Sequence, residues 1–359
     1  MGVDDVGDWP EADGGGESFS HPPRGLALFP GSRKATSLTM QTEEPTFLDL
    51  AGESLVAIGD GPPLPPQLLD LCMMHNRIRV IELLEPLTAL QKLNLRANRI
   101  ECMHGLQCCT ALRELELYEN QISVIEGLCG LRNLIVLDLS FNLLSRIEGI
   151  ADAGLEALTT LYLANNRISR IEGIANLPSL RLLELGSNAL RTAENLNAVP
   201  TLTELHLGRN KIRCLDSALV ELGELRVLGL ASNRLRSLDG LQTLSMLQEL
   251  YADHNGVENI SPLKELTQLQ TLDLGSNQIC NLESCCGLLL LEELWLGDNR
   301  IASAEQLSPL RALPRLQTLR LDGCPLSTAP RYREEVCAAT PHLVQLDATP
   351  LSADDRRAA

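Results

Sequence analysis

The chain has 359 residues and a formal net charge of −17, with 47 Asp and Glu against 30 Lys and Arg. This surplus of carboxylates argues against nucleic acids and anionic membranes as partners, because both would repel it. No apolar run reaches membrane-spanning length, and no positively charged start precedes an apolar run, so the sequence predicts a soluble, intracellular protein without a signal peptide.

Residues 1–44 form the first segment of the chain. They are rich in Gly and Pro, hold eight acids against three bases, and contain few large apolar side chains. Such a composition cannot bury enough apolar surface to offset the entropy of ordering. The sequence therefore predicts a disordered, acidic N-terminal segment.

A repeated pattern of Leu-x-x-Leu-x-Leu-x-x-Asn-x-Ile occupies most of the remaining chain, with residues 112–122 as its clearest copy. Consecutive copies start 22 to 25 residues apart, at Leu68, Leu90, Leu112, Leu134, Leu158, Leu180, Leu202, Leu225, Leu247, Leu269, Leu291 and Leu316. A fixed period in the twenties with this Leu and Asn signature predicts an α/β leucine-rich-repeat (LRR) solenoid.

Each repeat is expected to supply one short strand and one tight return. In Leu115-x-Leu117 the period of two places both leucines on the core side, and stacked repeats pair these strands in a parallel sheet on the concave face. Asn120 ends the strand by bonding to backbone groups of the turn. Apolar residues three apart then predict short 3₁₀ or extended returns on the convex face, because 22 residues leave no room for a long helix.

Both ends of the solenoid, predicted for residues 45–349, depart from the pattern. Phe47 begins a degenerate first repeat with Glu53 at the Asn position, and the last repeat has Cys324 there. Residues of about 325–349 are expected to form a C-terminal cap over the last strand edge, followed by a short tail at 350–359.

Chemistry-bearing motifs are missing from the sequence. The cysteines are odd in number at eleven, and Cys109 and Cys285 stand where sister repeats have Leu, so both are expected to be reduced core residues. No Cys or His spacing suits zinc, and no phosphate-binding loop or nucleophile motif occurs. We therefore expect no enzyme activity, no cofactor and no metal.

The outward-facing strand positions are the remaining candidates for function. Ten of these 33 positions from Lys92 to Asp322 are acidic, whereas the overall composition would give about four. Aromatic residues are also enriched there, with Tyr118, Tyr162, Tyr251 and Trp295. Carboxylates around exposed aromatics predict a protein-binding face, although a polar sheet face is also what any solvated sheet shows.

Longer segments are similar to one family of LRR proteins, the LRR regulatory subunits of protein phosphatase 1, from about Leu68 to Thr349. The segments that carry this resemblance are Glu116-Leu-Tyr-Glu-Asn-Gln-Ile, Leu137-Asp-Leu-Ser-Phe-Asn-Leu-Leu, Leu183-Glu-Leu-Gly-Ser-Asn, Glu249-Leu-Tyr-Ala-Asp-His-Asn-Gly, and in the cap Tyr332-Arg-x-x-Val, Pro341 and Leu346-Asp-Ala-Thr.

The resemblance implies a non-catalytic regulatory subunit in the nucleus and cytoplasm, whose concave face binds the catalytic subunit of this Ser/Thr phosphatase. It allows for a further phosphatase inhibitor subunit, and the chain alone is expected to be a monomer. His206 and Arg320 stand where the family has aromatics, and Arg320 would repel a basic partner. The implied partner-binding residues are Asp138, Tyr162, Glu184, His206, Asp273, Glu293, Trp295 and Arg320.

One alternative stays open at this point. A cytoskeletal or flagellar LRR scaffold would use the same face for a different partner. The short phosphatase-docking motif, Val or Ile two residues before Phe or Trp, is absent from the sequence. Binding through the folded face is therefore the route that the sequence favours.

Overall fold

A parallel β-sheet that follows the chain order dominates this computed structural model, which describes residues 46–357. Strands β1 to β14 pair in parallel, each with its sequence neighbours, and β15 returns antiparallel to β14. The strands are β1 Phe47–Asp49, β2 Asp70–Cys72, β3 Lys92–Asn94, β4 Glu114–Glu116, β5 Val136–Asp138, β6 Thr160–Tyr162, β7 Leu182–Glu184, β8 Glu204–His206, β9 Val227–Gly229, β10 Glu249–Tyr251, β11 Thr271–Asp273, β12 Glu293–Trp295, β13 Thr318–Arg320, β14 Gln345–Leu346 and β15 Thr349–Pro350.

The core is a continuous column of leucines and isoleucines inside this solenoid. In the repeat of β4, Leu115 and Leu117 are fully buried, and so are Leu112 and Ile122. The central residue of each strand from β2 to β13 is a buried Leu. Each repeat therefore buries its apolar face only against its neighbours, and the predicted LRR solenoid is confirmed.

The repeat asparagines join neighbouring turns in a ladder of hydrogen bonds. Asn120 Nδ2 donates to the carbonyl oxygens of Leu95 and Leu117 at 3.0 and 3.1 Å, and its Oδ1 accepts from the Ile100 N–H at 3.0 Å. Asn76 bonds in the same way to Leu50 and Leu55 of the degenerate first repeat, which confirms its register. Each amide thereby satisfies buried backbone groups from two repeats.

The residue before each repeat Asn has a left-handed backbone, a feature that the sequence analysis did not anticipate. Eleven residues share this conformation with φ between 51° and 58°, namely His75, Ala97, Glu119, Phe141, Asn165, Ser187, Arg209, Ser232, His254, Ser276 and Asp298. The left-handed residue turns the chain out of the strand, and the Asn that follows it directs its amide toward backbone carbonyls of its own and the preceding repeat.

The returns contain little helix. Ile122, Ile125, Leu128 and Leu131 point into the core, as their spacing predicted. Gly149 needs to be glycine for two reasons, since its φ is 95° and a Cβ there would collide with the Ile125 carbonyl oxygen of the preceding return. The short 3₁₀ segments are Ile58–Asp60, Leu196–Ala198, Ser261–Glu265, Glu283–Cys285, Ala304–Ala312 and Pro325–Thr328.

A cap of two helices and two short strands covers the C-terminal edge of the sheet. Helix α1 spans Tyr332–Ala339 and helix α2 spans Ala353–Arg357, and Arg333 of α1 pairs with Asp355 of α2 at 3.0 Å. Strand β15 and helix α2 thus lie partly or wholly within residues 350–359, which the sequence predicts as a short tail.

Asp347 takes the place of a backbone carbonyl that the next strand supplies in regular repeats, where for example the Leu296 N–H donates to the Arg320 carbonyl. Its Oδ1 accepts from the N–H groups of Leu321 and Asp322 at 2.8 and 3.1 Å, and its Oδ2 accepts from the Tyr332 hydroxyl at 3.0 Å. At the last regular repeat, the Cys324 thiol donates to the Leu296 carbonyl at 3.1 Å, a contact that elsewhere belongs to Asn.

Two expectations concern features outside this sheet. The predicted disordered segment 1–44 lies outside the described residues. Within residues 46–357, no helix is both long and apolar enough to cross a membrane.

Candidate functional site

The open face of the sheet, which points away from the leucine core, carries three rows of side chains. The strand register aligns the last residue of each strand from β2 to β13 in a single row, which we call the middle row. The middle row runs Cys72, Asn94, Glu116, Asp138, Tyr162, Glu184, His206, Gly229, Tyr251, Asp273, Trp295 and Arg320.

Seven of the eight sequence-predicted binding residues fall in the middle row. The eighth, Glu293, lies on the same face of β12, two residues before Trp295 and between Thr271 and Thr318 of the neighbouring strands. The solenoid therefore brings residues spread over more than 180 positions into one line, with Asp138 at one end and Arg320 at the other.

Acids at the N-terminal end of the open face already have partners within the chain. Lys92 pairs with Glu114 at 2.7 Å, and Asn94 donates to Glu116 at 2.7 Å. The Arg96 guanidinium lies 4.3 Å from the Tyr118 ring centroid. At this end Lys92 compensates the charge of Glu114, and Glu116 is held by a neutral amide.

From β5 onward the carboxylates of the middle row, Asp138, Glu184 and Asp273, form no salt bridge within the described residues. Asp138 Oδ1 accepts from the Ser140 N–H at 2.8 Å, and Glu184 Oε1 accepts from the Gly186 N–H at 2.6 Å. Within residues 46–357 neither carboxylate forms a salt bridge. Burial raises the pKa of Asp138, and it raises the pKa of Glu184 to about 7.

Asp273 is the most enclosed of the predicted binding residues. It stands between Tyr251 and Trp295 in the middle row, and only 7% of its surface is exposed. The repeat pattern predicts an outward, exposed side chain at this position. Its side chain is on the open face, where Tyr251 and Trp295 stand beside it on the neighbouring strands. Burial, reinforced by the nearby Asp253 charge, raises its pKa to about 6.

Trp295 and the tyrosines lie on the open face as predicted, half-buried by their neighbours. The Tyr251 hydroxyl donates to Glu249 Oε2 at 2.7 Å, so this ring is held in place by its own strand. Trp295 presents its apolar surface between Asp273 and Arg320. The C-terminal third of the face thus combines a large apolar side chain with nearby carboxylates.

The two departures from the family pattern introduce no free positive charge into the middle row. Both guanidinium nitrogens Nε and Nη2 of Arg320 donate to Asp322, each at 3.1 Å. Burial lowers the pKa of His206, which favours its neutral form at physiological pH. The repulsion that Arg320 alone would exert on a basic partner is therefore largely offset by Asp322.

Small residues surround His206 in the centre of the open face. Gly208, Gly229 and Ala231 lie on the face around it, and the His206 ring covers Gly229, where a Cβ would stand 2.9 Å from His206 Nδ1. The repeat pattern alone predicts no role for these positions. Their signal is visible only once the register places them side by side, because they belong to different repeats.

Family models for the leucine-rich repeat match at residues 132–190 and 197–257, at 243–359 and, as two copies, at 110–152. The chain is a leucine-rich-repeat protein. Among solved structures, this LRR protein is similar to an internalin from Listeria monocytogenes, with 27% identity, a TM-score of 0.72, and coverage of 85% of this chain and 87% of that one.

A second solved structure, an LRR protein from Leptospira interrogans, shares 23% identity, with a TM-score of 0.63 and coverage of 81% of each chain. At this identity the likeness concerns the fold alone. Comparison with curated proteins gives no match. Solenoids of this kind typically serve as scaffolds for protein interactions, and the open face is the surface that such a role requires.

Proposed function

We propose that this LRR protein binds a basic protein surface through its open face, and that the partner is the catalytic subunit of protein phosphatase 1. In this proposal the chain is a non-catalytic regulatory subunit that acts in the nucleus and cytoplasm. The observation that carries the proposal is the middle row, in which carboxylates without cationic partners alternate with aromatic side chains from Asp138 to Trp295.

The unpaired carboxylates support a basic partner on electrostatic grounds. Burial already disfavours the charged forms of Glu184 and Asp273, as their raised pKa values show. Cations brought by a partner would lower those pKa values and stabilise both ionised side chains. Complementary charge of this kind mainly accelerates association and selects the partner.

The aromatic residues support a defined anchor point. Trp295 is large and rigid, and the nearby Asp273 and Glu293 can receive basic groups around it. Burial of such a side chain at the centre of an interface typically makes a binding hot spot. The charge pattern predicts a basic partner but does not identify it. The choice of this phosphatase rests on the resemblance of the sequence segments described above.

Replacement of Trp295 tests the open face. The W295A variant is expected to lose about 2 to 4 kcal/mol of binding to the purified phosphatase catalytic subunit, roughly 30-fold to nearly a thousand-fold in Kd. Its thermal midpoint should barely change, because the side chain points away from the core. Leu289, an apolar side chain with 53% exposure on the return side, gives a matched control as L289A.

Replacement of Glu293 by Gln removes the charge but keeps the size of the side chain, so it tests the electrostatic contribution to binding separately from the packing contribution. The E293Q variant should mainly slow association and weaken its dependence on salt, while dissociation changes less. Wild-type affinity in W295A would remove the open face from the mechanism. A wild-type chain that does not bind the catalytic subunit at all would instead favour the cytoskeletal or flagellar scaffold.

A further inference from the structure

The flank of the solenoid just after the strands presents a second ordered surface. This surface is formed by three positions of each repeat, namely the residue before the repeat Asn, the residue after it, and the residue three positions after it. Around Asn210, the side chains of Arg209, Lys211 and Arg213 are exposed, whereas Asn210 and Ile212 are buried. This alternation directs Lys211 and Arg213 to the same side of an extended segment, and Arg209 lies in the left-handed turn immediately before it.

Seven cations and no acid occupy the twelve such positions of four consecutive repeats, from Asn165 to Arg236. The chain as a whole has 47 acids against 30 bases, so this local composition is opposite to the average. We call these residues the basic flank: Arg167, Arg191, Arg209, Lys211, Arg213, Arg234 and Arg236.

Backbone hydrogen bonds hold the segments of the basic flank side by side. The Lys211 N–H donates to the Leu190 carbonyl at 2.8 Å, and the Arg234 N–H donates to the Ile212 carbonyl at 2.8 Å. Neighbouring segments are therefore about 5 Å apart, and alternate residues along one segment about 7 Å apart. The cations are therefore attached to a regularly spaced, hydrogen-bonded backbone.

The cations of the basic flank have no partners within the described part of the chain. None of the seven side chains forms an ion pair or a hydrogen bond there. Arg170, one residue beyond these positions, shows the contrast, because it pairs with both Glu172 and Glu194. The nearby carboxylates of Asp216 and Asp239 accept from Cys214 and Ser237 instead.

The borders of the basic flank limit what it can bind. Beyond Arg236 the next repeat places Glu258, whose N–H donates to the Arg236 carbonyl at 3.1 Å. At the opposite border the exposed apolar side chains of Phe141 and Leu143 precede Arg167. Four repeats span only about 15 Å between these borders.

A long polyanion such as a nucleic acid, or an anionic membrane, would extend past these borders, onto Glu258 on one side and onto the apolar Phe141 and Leu143 on the other. A short peptide would not. We propose that the basic flank is a docking surface for a short, extended, carboxylate-rich peptide segment of a partner protein. Carboxylates on alternate residues of an extended peptide are about 7 Å apart, which matches the spacing of Lys211 and Arg213.

The proposal does not depend on the identity of the partner at the open face. The two surfaces are opposite in charge and use different residues. Variants of the basic flank should therefore leave phosphatase binding unchanged, and W295A should leave peptide binding unchanged.

Fluorescence anisotropy with a labelled hexaglutamate peptide tests the proposal on the full chain, at low and at physiological salt. The triple variant R209Q/K211Q/R213Q is expected to bind the peptide at least about tenfold more weakly than the wild type at low salt. The matched control R77Q/R99Q/R132Q removes the same charge from exposed cations of other repeats and should change affinity less than about twofold. Hexaglutamine should not bind.

Three outcomes would overturn the proposal. One is a wild-type chain that fails to bind hexaglutamate at low salt, and another is an equal loss of affinity in the two triple variants. The third is tighter binding of a single-stranded oligonucleotide or of anionic vesicles than of hexaglutamate, which would assign the basic flank to a different class of partner. Equal thermal midpoints of the two triple variants exclude unfolding as the cause of a loss.

Discussion

Each repeat contains one residue whose backbone conformation is unfavourable for any side chain. Ser187 is an example, with a φ of 54° immediately before Asn188. The left-handed region costs a non-glycine residue about 1 to 2 kcal/mol. The Asn188 amide offsets that cost, since Nδ2 donates to three carbonyls and Oδ1 accepts from the Ile168 N–H.

Glycine at the left-handed position should therefore be tolerated or stabilising. We expect S187G to be about 1 kcal/mol more stable than S169G, because Ser169 lies in the segment after the turn without a positive φ, and glycine there brings only its entropic cost. Urea unfolding of both variants and the wild type measures the difference. Equal destabilisation by the two substitutions would show that the left-handed conformation stores no strain.

At the scale of single elements, the strands and returns were predictable and the contacts between side chains were not. A period of two fixes which strand residues face the core, so β2 to β13 formed where the Leu pattern placed them. The burial of Asp273 depends on Tyr251 and Trp295, which belong to repeats 22 residues away on either side. The pairing of Arg320 with Asp322 depends on a rotamer that no pattern specifies.

The cap shows the same limit. Its helical composition was visible in the sequence, but β15 and α2 lie in a segment that lacks the repeat pattern. The role of Asp347 as a substitute for a backbone carbonyl of a following strand was also missed, because an Asp in an irregular segment gives no signal until its partners are known.

Loss of Asp347 should weaken the whole C-terminal edge. In D347A the N–H groups of Leu321 and Asp322 and the Tyr332 hydroxyl lose their acceptor, which should cost on the order of 1 to 3 kcal/mol. The Y332F variant removes only one of these bonds and serves as the comparison, with an expected cost of about 1 kcal/mol. Chemical denaturation measures both, and a D347A variant no less stable than Y332F would contradict the role of Asp347.

At the scale of the whole molecule, the open face couples stability to pH. Burial raises the pKa values of several of its acids above those of an unfolded chain, including Glu184 at about 7 and Asp273 at about 6. A raised folded-state pKa favours the folded protein below the unfolded pKa, and this contribution is lost as pH rises through the folded pKa.

The contribution of the two carboxyls to stability should therefore rise as pH falls from about 8 to about 5, on the order of 2 to 4 kcal/mol together. His206 acts in the opposite direction, because burial lowers its pKa. The E184Q variant cannot ionise at this position but keeps His206, so the midpoint of the wild type relative to E184Q should rise as pH falls. Scanning calorimetry of both proteins at constant ionic strength measures this difference, and a difference that falls between pH 8 and pH 5 would contradict the sign.

The two adjacent cysteine pairs provide a built-in way to watch the solenoid open. Cys108 and Cys286 are exposed, whereas their neighbours Cys109 and Cys285 are buried, and burial raises the thiol pKa values of Cys109 and Cys285 to about 11 and 12. A maleimide reagent therefore modifies the exposed member of each pair directly, and the buried member only when its own repeat separates. One pair lies toward each end of the sheet. The alkylation rates of Cys109 and Cys285, followed by mass spectrometry, therefore report on the two ends of the sheet in the wild-type chain. Unequal rates would identify the end from which unzipping starts.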